Sequence, residues 1–149
     1  MSTQVEQTEP DSLLPDSLLL DDGEDATELC SWGLTSLASA AGRITVLWVA
    51  GEVDLFTLPV LRAALADGLD RRHGSLIVDL SQLTFCGLCG LTSLERAARI
   101  AAEQGVWYAV SGCPASLERI WSLLPNVDLP ARYATVTDAV TAAWTDEAR

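Results

Sequence analysis

From about residue 44 onward, apolar runs of strand length alternate with stretches in which leucines and alanines recur every three or four residues, and few folds accommodate that alternation. Ile44-Thr-Val46-Leu-Trp48-Val-Ala50, Leu76-Ile-Val78-Asp-Leu80 and Val106-Trp-Tyr-Ala-Val110 read as strands. The latter two are continuous apolar runs of the kind buried on both faces of a parallel sheet. Between the first strand and the second, Leu58, Leu61, Leu65 and Leu69 mark a helix with Thr57 as its cap and Pro59 in its first turn. Leu91, Leu94, Ala98 and Ala101 mark a second helix, ended by Gly105. Leu117, Ile120, Trp121 and Leu124 line a short third helix closed by Pro125, and Val140, Ala143 and Trp144 a fourth, capped by Thr137. Upstream, Cys30 to Leu34 alternates weakly and Ala38 to Gly42 is a small-residue turn, which predicts a hairpin with the strand at 44–50. Gly51-Glu-Val-Asp54 is expected to break that strand, Ser81 to Cys89 to form a connection, and Arg132-Tyr-Ala134 to supply a last short strand. The order is ββαβαβαβα, an α/β fold on a mixed sheet. Right-handed crossovers make the carboxyl ends of the parallel strands the edge that carries a site, and Cys86, Cys89 and Cys113 all fall near it.

The chain has 149 residues, 49% of them hydrophobic, enough for one core without metal or disulfide help. Its charge is uneven. Residues 1–28 hold nine acidic side chains and no basic one, which leaves −3 of the total −12 for the rest. Such a self-repelling stretch without aromatics predicts a disordered tail over 1–28 and a domain over 29–149. Within the tail Asp-Ser-Leu-Leu occurs at 11–14 and again at 16–19, followed by Leu20; a solvated tail and a segment that docks on a partner are both readings of it. Acid excess argues against nucleic acid, and no apolar run approaches the roughly 20 residues of a membrane span. The amino terminus lacks a signal-peptide layout, so a cytoplasmic protein is expected, its four cysteines mostly thiols. The five tryptophans read mainly as core; Trp32, on the presumed edge strand, can instead meet another subunit, and a homo-oligomer stays open.

Catalytic material is sparse. His73, the only histidine, sits beside Arg71 and Arg72 in a surface turn. Glu52 and Asp54 are close in sequence, but Asp54 fits a turn residue that accepts backbone N–H bonds. There is no GxGxxG, P-loop or GxSxG, and Arg96 and Arg99 fit a solvated helix face. No enzyme activity, cofactor or metal is expected. The sharpest local feature is Cys86-Gly87-Leu88-Cys89, a C-x-x-C after a parallel strand and at a helix amino terminus, where N–H groups and the dipole stabilise a thiolate. Packing of small residues, a Cys86/Cys89 redox couple and, more remotely, a metal site are its readings. Zinc needs four ligands, and Cys30 and Cys113 form no second close pair.

Taken together, Gly51-Glu-Val-Asp54, the helix opening Thr57-Leu-Pro-Val-Leu-Arg62, Leu76-Ile-Val-Asp-Leu-Ser-Gln-Leu-Thr-Phe85 and Gly90-Leu91 at the next helix resemble a STAS domain of the anti-sigma factor antagonist type. The resemblance spans about residues 29–144 and implies a small mixed sheet with helices mainly on one face. In that family the stretch after Thr-Phe usually reads hydrophobic-Asp-Ser-Ser-Gly-Leu, and the second Ser is phosphorylated by a partner kinase. Gly87 here stands at the Asp, Leu88 at the first Ser and Cys89 at the phosphoacceptor, so phosphorylation there is not expected. Thr84, Thr92 and Ser93 are nearby hydroxyls that a shifted acceptor would use. Leu88 is either an exposed anchor for a partner or folds inward.

The resemblance thus implies a non-enzymatic module that binds an anti-sigma factor or kinase-like regulator through Asp54, Gly87, Leu88, Cys89, Gly90 and Leu91. A thiol switch at Cys86 and Cys89, or a scaffold subunit of a signalling or lipid-transport assembly, are the alternatives.

Overall fold

The computed structural model describes residues 29–39, 42–70, 74–124 and 130–147, so the acidic segment 1–28 and His73 lie outside it. Nine elements follow in the expected order: β1 (Cys30–Ser39), β2 (Gly42–Val53), α1 (Leu58–Leu69), β3 (Gly74–Cys86), α2 (Leu88–Gln104), β4 (Trp107–Ser111), α3 (Ala115–Leu123), β5 (Ala131–Tyr133) and α4 (Val136–Glu147). The sheet order is β1-β2-β3-β4-β5. β1 is antiparallel to β2, as a hairpin requires, and every later pairing is parallel.

Side chains alternate across the sheet and feed two cores. On one face Leu47 and Val49 of β2, Leu76, Val78 and Leu80 of β3 and Val110 of β4 meet Leu61 and Leu65 of α1, Leu91 and Leu94 of α2 and Leu117 and Trp121 of α3. On the other, Ile44 and Ile77 meet Ala139 and Ala143 of α4, with Trp107 and Tyr133 flanking at a ring separation of 6.0 Å. Three helices thus cover one face and one covers the other. Each fully buried leucine or isoleucine contributes about 1.5–3 kcal/mol by leaving water. Gly105 closes α2 at φ 75°, and the N–H of Val106 reaches back to the Ala101 carbonyl at 2.8 Å.

Several expectations need correction. β2 does not break at Gly51 but runs to Val53, because two register shifts against β3 absorb the irregularity. Gly51 sits at φ 100°, where a Cβ would overlap the Leu29 carbonyl oxygen. The stretch Ser81 to Cys86 is not a connection either: it extends β3 to 13 residues, held by β2. Thr137 lies inside α4, whose first turn is capped by Thr135, the hydroxyl accepting from the Asp138 N–H at 3.1 Å. Ile120 and Trp144 are exposed at 39% and 48%, so among the tryptophans only Trp121 is fully buried, while Trp32, Trp48 and Trp107 are half-buried. Trp48 lies over Gly33, where any Cβ would come within 2.6 Å of the indole.

Candidate functional site

β4 ends where Ser111 pairs with Asp79, while β3 continues for seven more residues beside β2. The two strands therefore project together past the sheet at its carboxyl edge. Val53 pairs with Cys86, and the Gly87 N–H donates to the Val53 carbonyl at 2.8 Å, so the turns after both strands start side by side.

After Val53 the chain is tied into a compact turn. Asp54 Oδ1 accepts the N–H groups of Phe56 and Thr57, both at 3.0 Å. The buried Thr57 hydroxyl donates to the Glu52 carbonyl at 2.7 Å and accepts from the Asp54 N–H at 2.9 Å. Asp54 thus fills the turn role read from sequence, and its Oδ1 is spent on the backbone. Thr57 occupies the position before α1 but makes no side-chain bond into the helix, which corrects its expected capping role. The knot holds Leu55 and Phe56 outward, 79% and 54% exposed.

After Cys86 the chain enters α2 through Gly87 at φ −77°, ψ 177°. Leu88, in the first turn, is 56% exposed, so it points outward rather than folding in. Cys89 is half-buried against the core, and its carbonyl accepts from the Thr92 hydroxyl at 2.9 Å. Gly90 and Leu91 are buried and offer no surface of their own. A Cβ on Gly90 would come within 2.5 Å of Cys86 Sγ and 2.7 Å of Val53 Cγ1, so this glycine lets α2 sit directly on the strand ends. Of the nearby hydroxyls, Ser93 is buried, Thr92 is tied to the Cys89 carbonyl, and Thr84 donates to the Gly51 carbonyl at 3.1 Å.

Sequence reading missed the apolar residues that complete this rim. Phe85 is 54% exposed, its ring 3.7 Å from where a Cβ on Gly87 would stand, and Leu55 and Phe56 stand at the end of the neighbouring strand. A shallow groove of about 120 Å³ separates the projecting part of β3 from α3, lined by Leu83, Phe85, Pro114, Leu117 and Ile120 among others. The missed signal was Leu55-Phe56 placed directly after a turn-forming Asp, where apolar side chains have no core to reach.

The thiols run against redox chemistry. Cys86 is the last residue of β3, ahead of the helix terminus, and only 8% exposed. Burial, then the neighbouring thiols Cys89, Cys113 and Cys30, pushes its pKa up to about 12. Burial likewise raises Cys113 to about 12 and Cys30 to about 11, each also pushed up by a nearby carboxylate, Glu118 and Asp54 respectively. The helix terminus was expected to favour a thiolate in the Cys86–Cys89 motif; at Cys86 desolvation acts the other way, because the sulfur is buried. All four cysteines are free. Among the described residues no three metal-ligating side chains gather, and no helix is long and apolar enough to cross a membrane.

The family model described as "Mlab, STAS domain" matches residues 36–124. None of the curated proteins matches the chain. Among solved structures, an anti-sigma factor antagonist from Mycobacterium paratuberculosis is 24% identical, with a TM-score of 0.60 over 76% of this chain and 95% of that one. The anti-sigma factor antagonist SpoIIAA in its unphosphorylated form is 11% identical, with a TM-score of 0.54 over 75% of this chain and 97% of that one. The murine anion transporter Slc26a9 is 15% identical, with a TM-score of 0.61 over 68% of this chain but only 18% of the transporter.

Proposed function

The chain belongs to the STAS domain family, and from that premise we propose that it is a non-enzymatic regulatory module. It binds an anti-sigma factor or a related kinase-like regulator through the carboxyl-edge rim, without phosphorylation at the usual position. The observation that carries this reading is the exposed apolar set Leu55, Phe56, Phe85 and Leu88 around a helix start whose acceptor position holds Cys89. Large apolar side chains gathered at one edge are costly to leave in water and mark contact surfaces, and well-packed aromatic anchors carry much of the affinity at such surfaces.

A phosphorylated serine at the helix start would add about −1.5 to −2 charge and desolvation-resistant bulk in the middle of this patch, expelling a bound partner. Cys89 offers a half-buried thiol in that place, and apolar Leu88 stands beside it. The resulting rim favours lasting adhesion over a cycle of release. Asp54 contributes through the turn that displays Leu55 and Phe56, and Gly87, Gly90 and Leu91 through the seating of α2. The raised Cys86 pKa speaks against the thiol switch.

Titration of the purified chain against a panel of kinase-like anti-sigma factors tests the reading, with Phe85→Asp and Leu88→Asp as rim variants. Loss of about tenfold or more in affinity is expected for each, as for central interface anchors. Unchanged affinity in both, or phosphate recovered on the rim from cells, would falsify it.

A further inference from the structure

We propose that residues 11–20 of this same chain occupy the groove between the projecting end of β3 and α3, as an internal competitor for the partner-binding rim. The inference rests on the proposed binding role of that rim and concerns its regulation.

The first support is where the chain enters the fold. Cys30 pairs with Gly51, so β1 begins at the carboxyl edge of the sheet, the same edge that carries Phe85 and Leu88. Gly51 in turn pairs with Leu83 of β3, which places the groove wall about 10 Å from Cys30, two strand spacings away. The nine Cα–Cα steps from Leu20 to Leu29 span up to about 30 Å when extended, ample for that distance.

The second support is chemical fit. The groove walls are Leu83, Phe85, Pro114, Leu117 and Ile120, and its volume of about 120 Å³ suits a leucine-sized side chain. Asp11-Ser-Leu-Leu14 and Asp16-Ser-Leu-Leu-Leu20 place five leucines where no core residue is expected of them. Among the described residues no strand pairs with Gln82–Cys86 on the side away from β2, so that flank can also receive an extended peptide by strand addition.

Charge sets the orientation. Glu52 and Asp54 lie on the β2 side of the rim and repel an acidic segment. On the other side Arg119 of α3, next to Ile120 of the groove wall, is exposed and forms no ion pair among the described residues. Arg119 gives Asp11 or Asp16 a cation beside the groove itself, whereas on the Asp54 side Arg62 of α1 is set against the two carboxylates Glu52 and Asp54, which favours the groove. The domain beyond residue 28 is itself net −3, so this attraction is local and weakens with salt.

The chain supplies its own probe, because its only two phenylalanines, Phe56 and Phe85, both stand on the rim. Full-length protein labelled with fluorophenylalanine is compared with a full-length variant carrying Leu13→Ser, Leu14→Ser, Leu18→Ser, Leu19→Ser and Leu20→Ser, substitutions that leave the folded domain untouched. The variant is expected to shift the Phe85 fluorine resonance and enlarge its solvent-isotope shift, Phe56 responding less, and added salt to move the native spectrum partway to the variant's. If the segment occupies the rim most of the time, the variant also binds a kinase-like anti-sigma factor about five- to tenfold more tightly. Identical fluorine spectra overturn the proposal, as do differences that disappear on dilution, which assign the groove to a second copy. Fluorine shifts without binding of any such factor uphold the docking and refute the binding role. Binding lost in Phe85→Asp together with identical spectra does the reverse.

Discussion

The two halves of β3 obey different rules although they form one strand. From Ser75 to Asp79 the strand is paired on both sides, and Leu76, Ile77, Val78 and the adjoining Leu80 are at 1% exposure or less. From Ser81 to Cys86 it has only β2 for a neighbour, and Phe85 stands 54% exposed. An apolar residue in the first half stabilises the fold; in the second half Leu83 and Cys86 stay buried in the core while Phe85 is left exposed on the rim. Hydrophobicity alone therefore does not report role, and the extent of the neighbouring strand does.

Substitutions that separate stability from binding sharpen this contrast. Leu80→Ala, in the doubly packed half, is expected to cost about 2–5 kcal/mol in urea unfolding, the range for a buried leucine that leaves a cavity. Gly90→Ala should cost about 1–3 kcal/mol, since its Cβ meets Cys86 Sγ and Val53 at sub-contact distance. Cys86→Ala in the same chain should recover part of that loss; no recovery would refute the close-approach account. Asp54→Ala removes two hydrogen bonds from the turn, for a cost of about 1–2 kcal/mol. Phe85→Ser should change the midpoint by no more than about 0.5 kcal/mol while weakening partner binding, the inverse of Leu80→Ala.

The smallest effect is a pH dependence. The Cys86 thiol is raised from about 9 to about 12, so the folded state holds its proton more tightly than the unfolded one. Its contribution is complete below about pH 9 and is lost as pH rises through about 12. Cys113 and Cys30 act in the same direction. Cys86→Ala should flatten, without abolishing, the alkaline decline in stability read from unfolding midpoints.

Periodicity made the element order legible, because each helix buries a stripe at helical spacing and each central strand is a short apolar run. It failed at the strand ends. Gly51-Glu52-Val53 looks like a break because bulges and glycines read as turns, yet parallel pairing with β3 carries the strand through. Ser81-Gln82 reads as a loop for the same reason. At the site, Leu88 and Cys89 were found from their positions in the motif, and Asp54 from its turn chemistry. Phe85 and Leu55-Phe56 were not, because an exposed apolar residue has the same letter as a buried one; the truncation of β4 decides it for Phe85, and the Asp54 turn for Leu55 and Phe56. Hydroxyl roles were less legible: Thr57 holds the expected cap position of α1 but its oxygen accepts the Asp54 N–H instead of a helix N–H, and Thr135 rather than Thr137 caps α4.

The hairpin direction of β1 has a practical corollary. A segment joined directly ahead of residue 29 enters the fold at the edge proposed here to bind, so an affinity tag fused at that point stands beside the rim. α4 follows β5 and runs back across the sheet, so a label joined after it is carried to the far end and leaves the working surface clear.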